Sequence, residues 1–141
     1  MIDRSRIGFT TEPTRVPVDP WHVKLFCQAI GEPDTDAWHP GRVLPPTFLK
    51  AIEGEHFSSA ALLKLLNVPV RGVLHASQSF EHLAPVHVGD TVEVQRLIAD
   101  IHDKKDGALS FIIVDTRFSV ADRAVAVSRQ TIMVRNAMAA P

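Results

Sequence analysis

The chain contains no tyrosine and a single cysteine, and it has no apolar run approaching the roughly eighteen residues of a membrane-crossing helix. Each absence narrows what the chain can be. Cys27 alone cannot close an internal disulfide, and without a Cys-x-x-Cys pair there is no thiolate metal motif, so a reducing, cytoplasmic setting is expected. The opening Met1-Ile2-Asp3-Arg4-Ser5-Arg6 lacks the apolar stretch of a signal peptide. A surplus of charge of one sign is missing too: 15 Lys+Arg stand against 16 Asp+Glu, a net charge of −1, which argues against nucleic acid as partner. Glycine-rich phosphate loops, dinucleotide fingerprints and nucleophile elbows are likewise absent from the sequence. No repeat, low-complexity tract or internal linker divides it.

What remains is a sequence of 141 residues, 45% hydrophobic and 22% charged, the composition of one folded domain over 1–141. Its ordered core is expected over about 8–135, with 136–141 as a fraying tail. Prolines crowd the first half, where the apolar spacing is helical. Pro20 sits at a favourable first-turn position, Val23, Phe26, Cys27 and Ile30 form a stripe, and Gly31 is placed to stop the helix. Cys27 on that stripe reads as a small buried hydrophobe. Residues 31–41 hold too many turn formers to be regular and read as a loop.

From Pro46 to Leu66, Phe48, Leu49, Ile52, Phe57, Ala60, Leu63 and Leu66 keep a period near 3.6, with Thr47 available as a cap, and predict one long central helix. Gly54 marks either a bend in it or the close approach of another backbone. After Pro69 the period changes to two, predicting strands over 72–84, 91–100, 108–120 and 124–134 with short, hence antiparallel, connections. Residues 7–18 can add an edge strand that Pro13 and Pro17 keep out of any central position. An antiparallel sheet with one long apolar helix is most economically arranged as a sheet wrapped around that helix, an α+β hot-dog fold.

Several motifs occur in a telling order: Val-x-x-Phe-Cys-x-Ala-Ile-Gly-Glu-Pro-Asp at 23–34, Leu-Pro-Pro-Thr-Phe at 44–48, Val-Leu-His-Ala-Ser-Gln-Ser-Phe-Glu-His at 73–82, Pro-Val-His-Val-Gly-Asp at 85–90, and Arg-Gln-Thr-Ile-Met-Val-Arg at 129–135. With these the chain resembles the MaoC-like hot-dog dehydratases, in particular their FAS1-type N-terminal dehydratase domain. The resemblance implies dehydration of (3R)-3-hydroxyacyl thioesters of coenzyme A or acyl carrier protein, or hydration of 2-enoyl thioesters. CoA or phosphopantetheine would then belong to the substrate, and no separate cofactor or metal is implied. It also implies a homodimer, or a heterodimer with a second MaoC-like subunit. Catalytic members carry Gly-Asp-x-Asn-Pro-x-His in the loop after a short helix. N-terminal-type members often lack that pair and serve as silent subunits that complete a partner's acyl tunnel.

Alignment on Gly31 puts Glu32 at the family's Asp and Ala37 at its His, which breaks the pair. A two-residue insertion instead puts Asp34 and His39 there with the five-residue spacing restored. Loops accommodate such an insertion. In the active reading His39 and Asp34 divide removal of the C2 proton and departure of the C3 hydroxyl. A backbone N–H at Phe48 or Leu49 meets the thioester oxygen, and Trp38, Thr47, Phe48 and Leu49 line the substrate. The plainer reading of Asp34 and His39 is as parts of a surface turn. Among the other histidines, His75 and His82 fall on opposite strand faces unless a bulge intervenes, and His75 is read as structural, near the sheet core. His56 and Glu53 lie one helical turn apart without a third metal ligand. Arg129 and Arg135 are left for a partner's acids or a pantetheine phosphate.

Overall fold

The computed structural model describes residues 2–55 and 57–136. The sheet has five strands, β1 Thr14–Pro17, β2 Val73–His82, β3 Thr91–Lys104, β4 Leu109–Val120 and β5 Arg123–Arg135, in the order β1-β3-β4-β5-β2. Every pairing is antiparallel, as the short connections demand. The β3–β4 and β4–β5 turns place Lys105, Asp106, Ala121 and Asp122 at positive φ, the backbone hand that matches the twist of paired strands. Proline-bounded β1 is short and lies at one edge, and β2 forms the other.

Helix α1, Pro20–Ile30, is capped by the Asp19 carboxylate, which accepts from Trp21 N–H at 3.0 Å, and ends at left-handed Gly31, φ 72°. Val23 and Cys27 are buried as the stripe predicts, whereas Ile30 is half exposed. Burial, with Glu32 and Asp34 nearby, pushes the Cys27 thiol up, as befits an inert core cysteine.

The long helix expected over 46–66 is divided. A 3-10 turn, Pro46–Phe48, leads into α2, Leu49–Glu53, and a separate α3 spans Ser59–Leu65. Thr47 does not cap, since the turn starts after Pro45 without a side-chain cap. Ser58 begins α3 afresh, its hydroxyl accepting from Ala61 N–H at 3.2 Å. The interruption is held from the sheet: Arg96 Nη1 donates to the Phe57 carbonyl at 2.6 Å, and Gln130 Nε2 donates to Ser59 Oγ at 3.3 Å.

Each helical segment packs on its own part of the sheet. Phe48, Leu49 and Ile52 cover Val92, Val94 and Phe118, while Leu62, Leu63 and Leu66 cover Ile98, Ile112 and Ile132. Between the two apolar clusters runs a buried polar seam. Arg96, Thr116 and Ser128 are cross-strand neighbours in one row, with Gln130 next to it, and all are nearly inaccessible. Glu53 reaches this row from α2, accepting from Ser128 Oγ at 2.6 Å and pairing with Lys50. Burial lowers the pKa of the Arg96 guanidinium, and the nearby Glu53 opposes the shift.

Strand β2 carries a bulge: His75 pairs Ile132 and Ser77 pairs Thr131, leaving Ala76 extra. The bulge reverses strand parity, so His75 and His82 share the concave face instead of opposing each other. His75 is exposed at this edge, its Nε2 3.1 Å from the Ser77 carbonyl, and is not a core residue. His56 lies outside the described residues, so its relation to Glu53 goes with it. Arg129 is engaged within its own sheet, bidentate to Asp115 at 2.7 and 2.8 Å. Among the described residues no helix is long and apolar enough to cross a membrane.

Candidate functional site

A cavity of about 370 Å³ opens where the end of β2 faces the entry to α2. That is the lower end of the range for small-ligand sites. One wall is residues 43–46 with Leu49, and the other is residues 82–86. The walls are fixed to each other and to the sheet. Leu44 N–H donates to the Val86 carbonyl at 2.8 Å, and the N–H groups of Leu83 and Ala84 both reach the Val125 carbonyl, at 2.8 and 3.1 Å. Leu44, Leu49 and Val86 belong to the first apolar cluster, so the floor of the cavity is core.

Of the residues expected to line a substrate, Leu49 does so. Phe48 lies beneath it, 1% exposed, with Phe26 edge-on at 5.2 Å. Thr47 is exposed in the 3-10 turn. The backbone donors expected to meet a thioester oxygen are engaged: Phe48 N–H donates to the Pro45 carbonyl at 3.0 Å, and Leu49 N–H is directed to the Thr47 carbonyl. The tight turn that replaces the first helical turn has turned them inward on the chain itself.

Asp34 and His39 occupy the loop after α1, outside the cavity lining. The Asp34 carboxylate accepts from Asp36 N–H at 2.9 Å and pairs with Arg42. The Asp36 N–H, and secondarily the Arg42 charge, hold its carboxyl below the usual carboxylate range, so it is ionised at neutral pH. His39 Nε2 lies 3.6 Å from Asp36 Oδ1, so the carboxylate closest in this geometry is one residue type repeated two positions on. Trp38 stacks on Trp21 with centroids 5.5 Å apart, and Lys24 Nζ sits 4.8 Å from its ring. Its indole N–H donates to the Thr35 carbonyl at 2.8 Å, which ties the loop together.

His82 is the one ionisable side chain among the described residues of the cavity lining, and the sequence alone places it on the strand face opposite His75. Its parity was the obstacle, since only the Ala76 bulge turns it to the concave side. Arg96 carries no signal in the sequence, and Glu53 is weighed there only beside His56 as a metal pair, because a charged residue at an inward strand or helix position is recognisable only from the partner it finds.

The sheet, its edge strands and the helical segments on its concave face define an α+β hot-dog domain. A family model described as "FAS1-like, dehydratase domain region" matches residues 5–128, and the chain belongs to this family of MaoC-like hot-dog proteins. Two curated relatives are UPF0336 proteins: one of Streptomyces avermitilis, 27% identical over 137 residues, and one of Streptomyces coelicolor, 28% identical over 134, each alignment covering 87% of this chain and 86% of the relative. Similar folds are the HadBC (3R-hydroxyacyl-ACP dehydratase) complex of Mycobacterium tuberculosis (TM-score 0.72, 18% identity, 91% of this chain and 96% of that one) and the ChsH1-ChsH2 complex of the same organism (TM-score 0.71, 21% identity, 94% and 87%). The R-hydratase PhaJ1 of Pseudomonas aeruginosa shares the fold at TM-score 0.65 and 18% identity, over 96% of this chain and 90% of that one.

Proposed function

We propose that this chain is the acyl-holding member of a paired hot-dog assembly that interconverts (3R)-3-hydroxyacyl thioesters and 2-enoyl thioesters. The observation that supports it is the cavity, a pocket with aliphatic and proline walls in a chain of a dehydratase family, with neither Asp34 nor His39 on its lining. Such walls suit an acyl chain, and the CoA or phosphopantetheine carrier arrives as part of the substrate. The reaction itself moves one proton from C2 and one hydroxide from C3 to give water and the 2-enoyl product, with no net electron transfer. A second hot-dog chain, identical or MaoC-like, is the expected partner, and HadBC and ChsH1-ChsH2 are both solved as complexes.

A second reading has Asp34 and His39 carry the chemistry in this chain. It is favoured by their shared loop and by the ionised state of Asp34, which suits a proton acceptor or a holder of the departing water and not a proton donor. Hydration of crotonyl-CoA, 2-octenoyl-CoA and 2-hexadecenoyl-CoA by the purified chain separates the two. Saturable binding of at least one thioester with no turnover is the expected result. Turnover that falls at least about 100-fold in His39→Ala would transfer the assignment to the dyad. Absence of binding to all three would remove the acyl-thioester reading.

A further inference from the structure

We infer that His82 is the residue that grips the polar end of the ligand in this cavity, its ring N–H donating to the thioester carbonyl oxygen. The inference deepens the acyl-thioester reading and rests on it. An acyl thioester brings one strong acceptor into an otherwise apolar space, and burying that oxygen without a donor is costly. The cavity has few donors to offer. Pro45, Pro46 and Pro85 carry no N–H and those of Leu44, Leu83 and Ala84 are engaged with protein carbonyls, so that besides the backbone N–H groups of Val43 and Val86 the His82 ring is the one side-chain donor among the described lining residues. The remaining lining side chains are aliphatic. An imidazole, by contrast, bears an N–H in either tautomer.

Three features aim that imidazole. The Ala76 bulge brings His82 onto the concave face opposite Ala126. The paired N–H groups of Leu83 and Ala84 on the Val125 carbonyl fix the end of β2 directly after it. The Phe80 ring lies nearly parallel to the imidazole, centroids 6.0 Å apart and planes at 25°. In dehydration, negative charge develops on the same thioester oxygen, so a donor placed here would favour the transition state as well as the ground state.

The test compares two ligands, hexanoyl-CoA and its thioether analogue S-hexyl-CoA, which lacks only the carbonyl oxygen. Wild type is expected to prefer the thioester about tenfold by calorimetry, the scale of one hydrogen bond to a buried acceptor. His82→Phe, which keeps a flat ring but no donor, should abolish that preference, and His82→Gln should restore much of it. Val43→Trp, at the exposed rim, fills the cavity and should weaken both ligands together. If His82→Phe keeps the full preference while Val43→Trp blocks binding, the role of His82 is overturned and the cavity stands. If Val43→Trp changes neither ligand, the acyl reading of the cavity itself fails.

Discussion

Glu53 occupies a helix position where a leucine would have continued the apolar stripe, and Arg96 takes the inward strand position next after Val92 and Val94. Neither placement is tolerable alone. Glu53 accepts from Ser128 and pairs with Lys50, while Arg96 holds the Phe57 carbonyl and the Gln130 side chain, and its Nε has no partner among the described residues. Burial of this kind is costly unless the whole set is present, and removing one member strands the others. Arg96→Met is therefore expected to destabilise the fold by about 3–5 kcal/mol in chemical denaturation. The pair Glu53→Met with Arg96→Met should lose clearly less than the sum of its single losses. Strict additivity would show that the two charges do not act as a unit.

At the level of elements, strands were legible and interruptions were not. Thr91-Val92-Glu93-Val94 and the apolar positions Ile112, Val114, Phe118 and Val120 follow the period of two that a half-buried strand explains, and β3 and β4 appear there, although β3 runs four residues further, to Lys104. The apolar spacing from Phe48 to Leu66 runs unbroken through residues 54–58, because both helical segments face the same sheet, and so conceals the break between them. A bulge such as that at Ala76 leaves no mark in residue type, and the facing of His82 was hidden with it. The loop holding Asp34 and His39 was recognised as a loop, but its internal ties, Arg42 to Asp34 and Trp38 to Trp21, depend on side chains brought together by folding. Two glycines also differ in what they do. Gly54 has a right-handed backbone and only ordinary contacts where a Cβ would stand, so Gly54→Ala is expected to be neutral or to stabilise by up to about 1 kcal/mol. Gly72 has φ 87° and would place a Cβ 3.0 Å from the Arg135 carbonyl oxygen. Gly72→Ala should lower the melting temperature by several degrees, and an unchanged value would mean that the β2–β5 junction yields more readily than its geometry suggests.

For the whole molecule the governing feature is the free edge of β2, ten residues long, with Leu74 and, just past its end, Leu83 each 51% exposed. A long uncovered edge is a template for pairing, and a two-fold pair satisfies its backbone groups while closing the assembly. Light scattering at micromolar concentration is expected to give twice the 15.5 kDa of one chain, or a comparable pair with a second hot-dog chain. Ser77→Lys with Ser79→Lys, which charges the edge without touching the core, should return it to the single-chain mass. A monomeric wild type in both settings would leave that edge facing water. If β2 pairs with an antiparallel copy about its midpoint, His82 of one strand stands across from the Val73 end of the other, and the two histidines lie about 30 Å apart at roughly 3.3 Å per residue. The pair then holds two pockets at opposite ends of a shared seam, each bordered by the far end of its neighbour. Two different chains joined this way are free to divide the labour, one pocket keeping the reagents of the reaction while the other is reshaped for length, branching or grip.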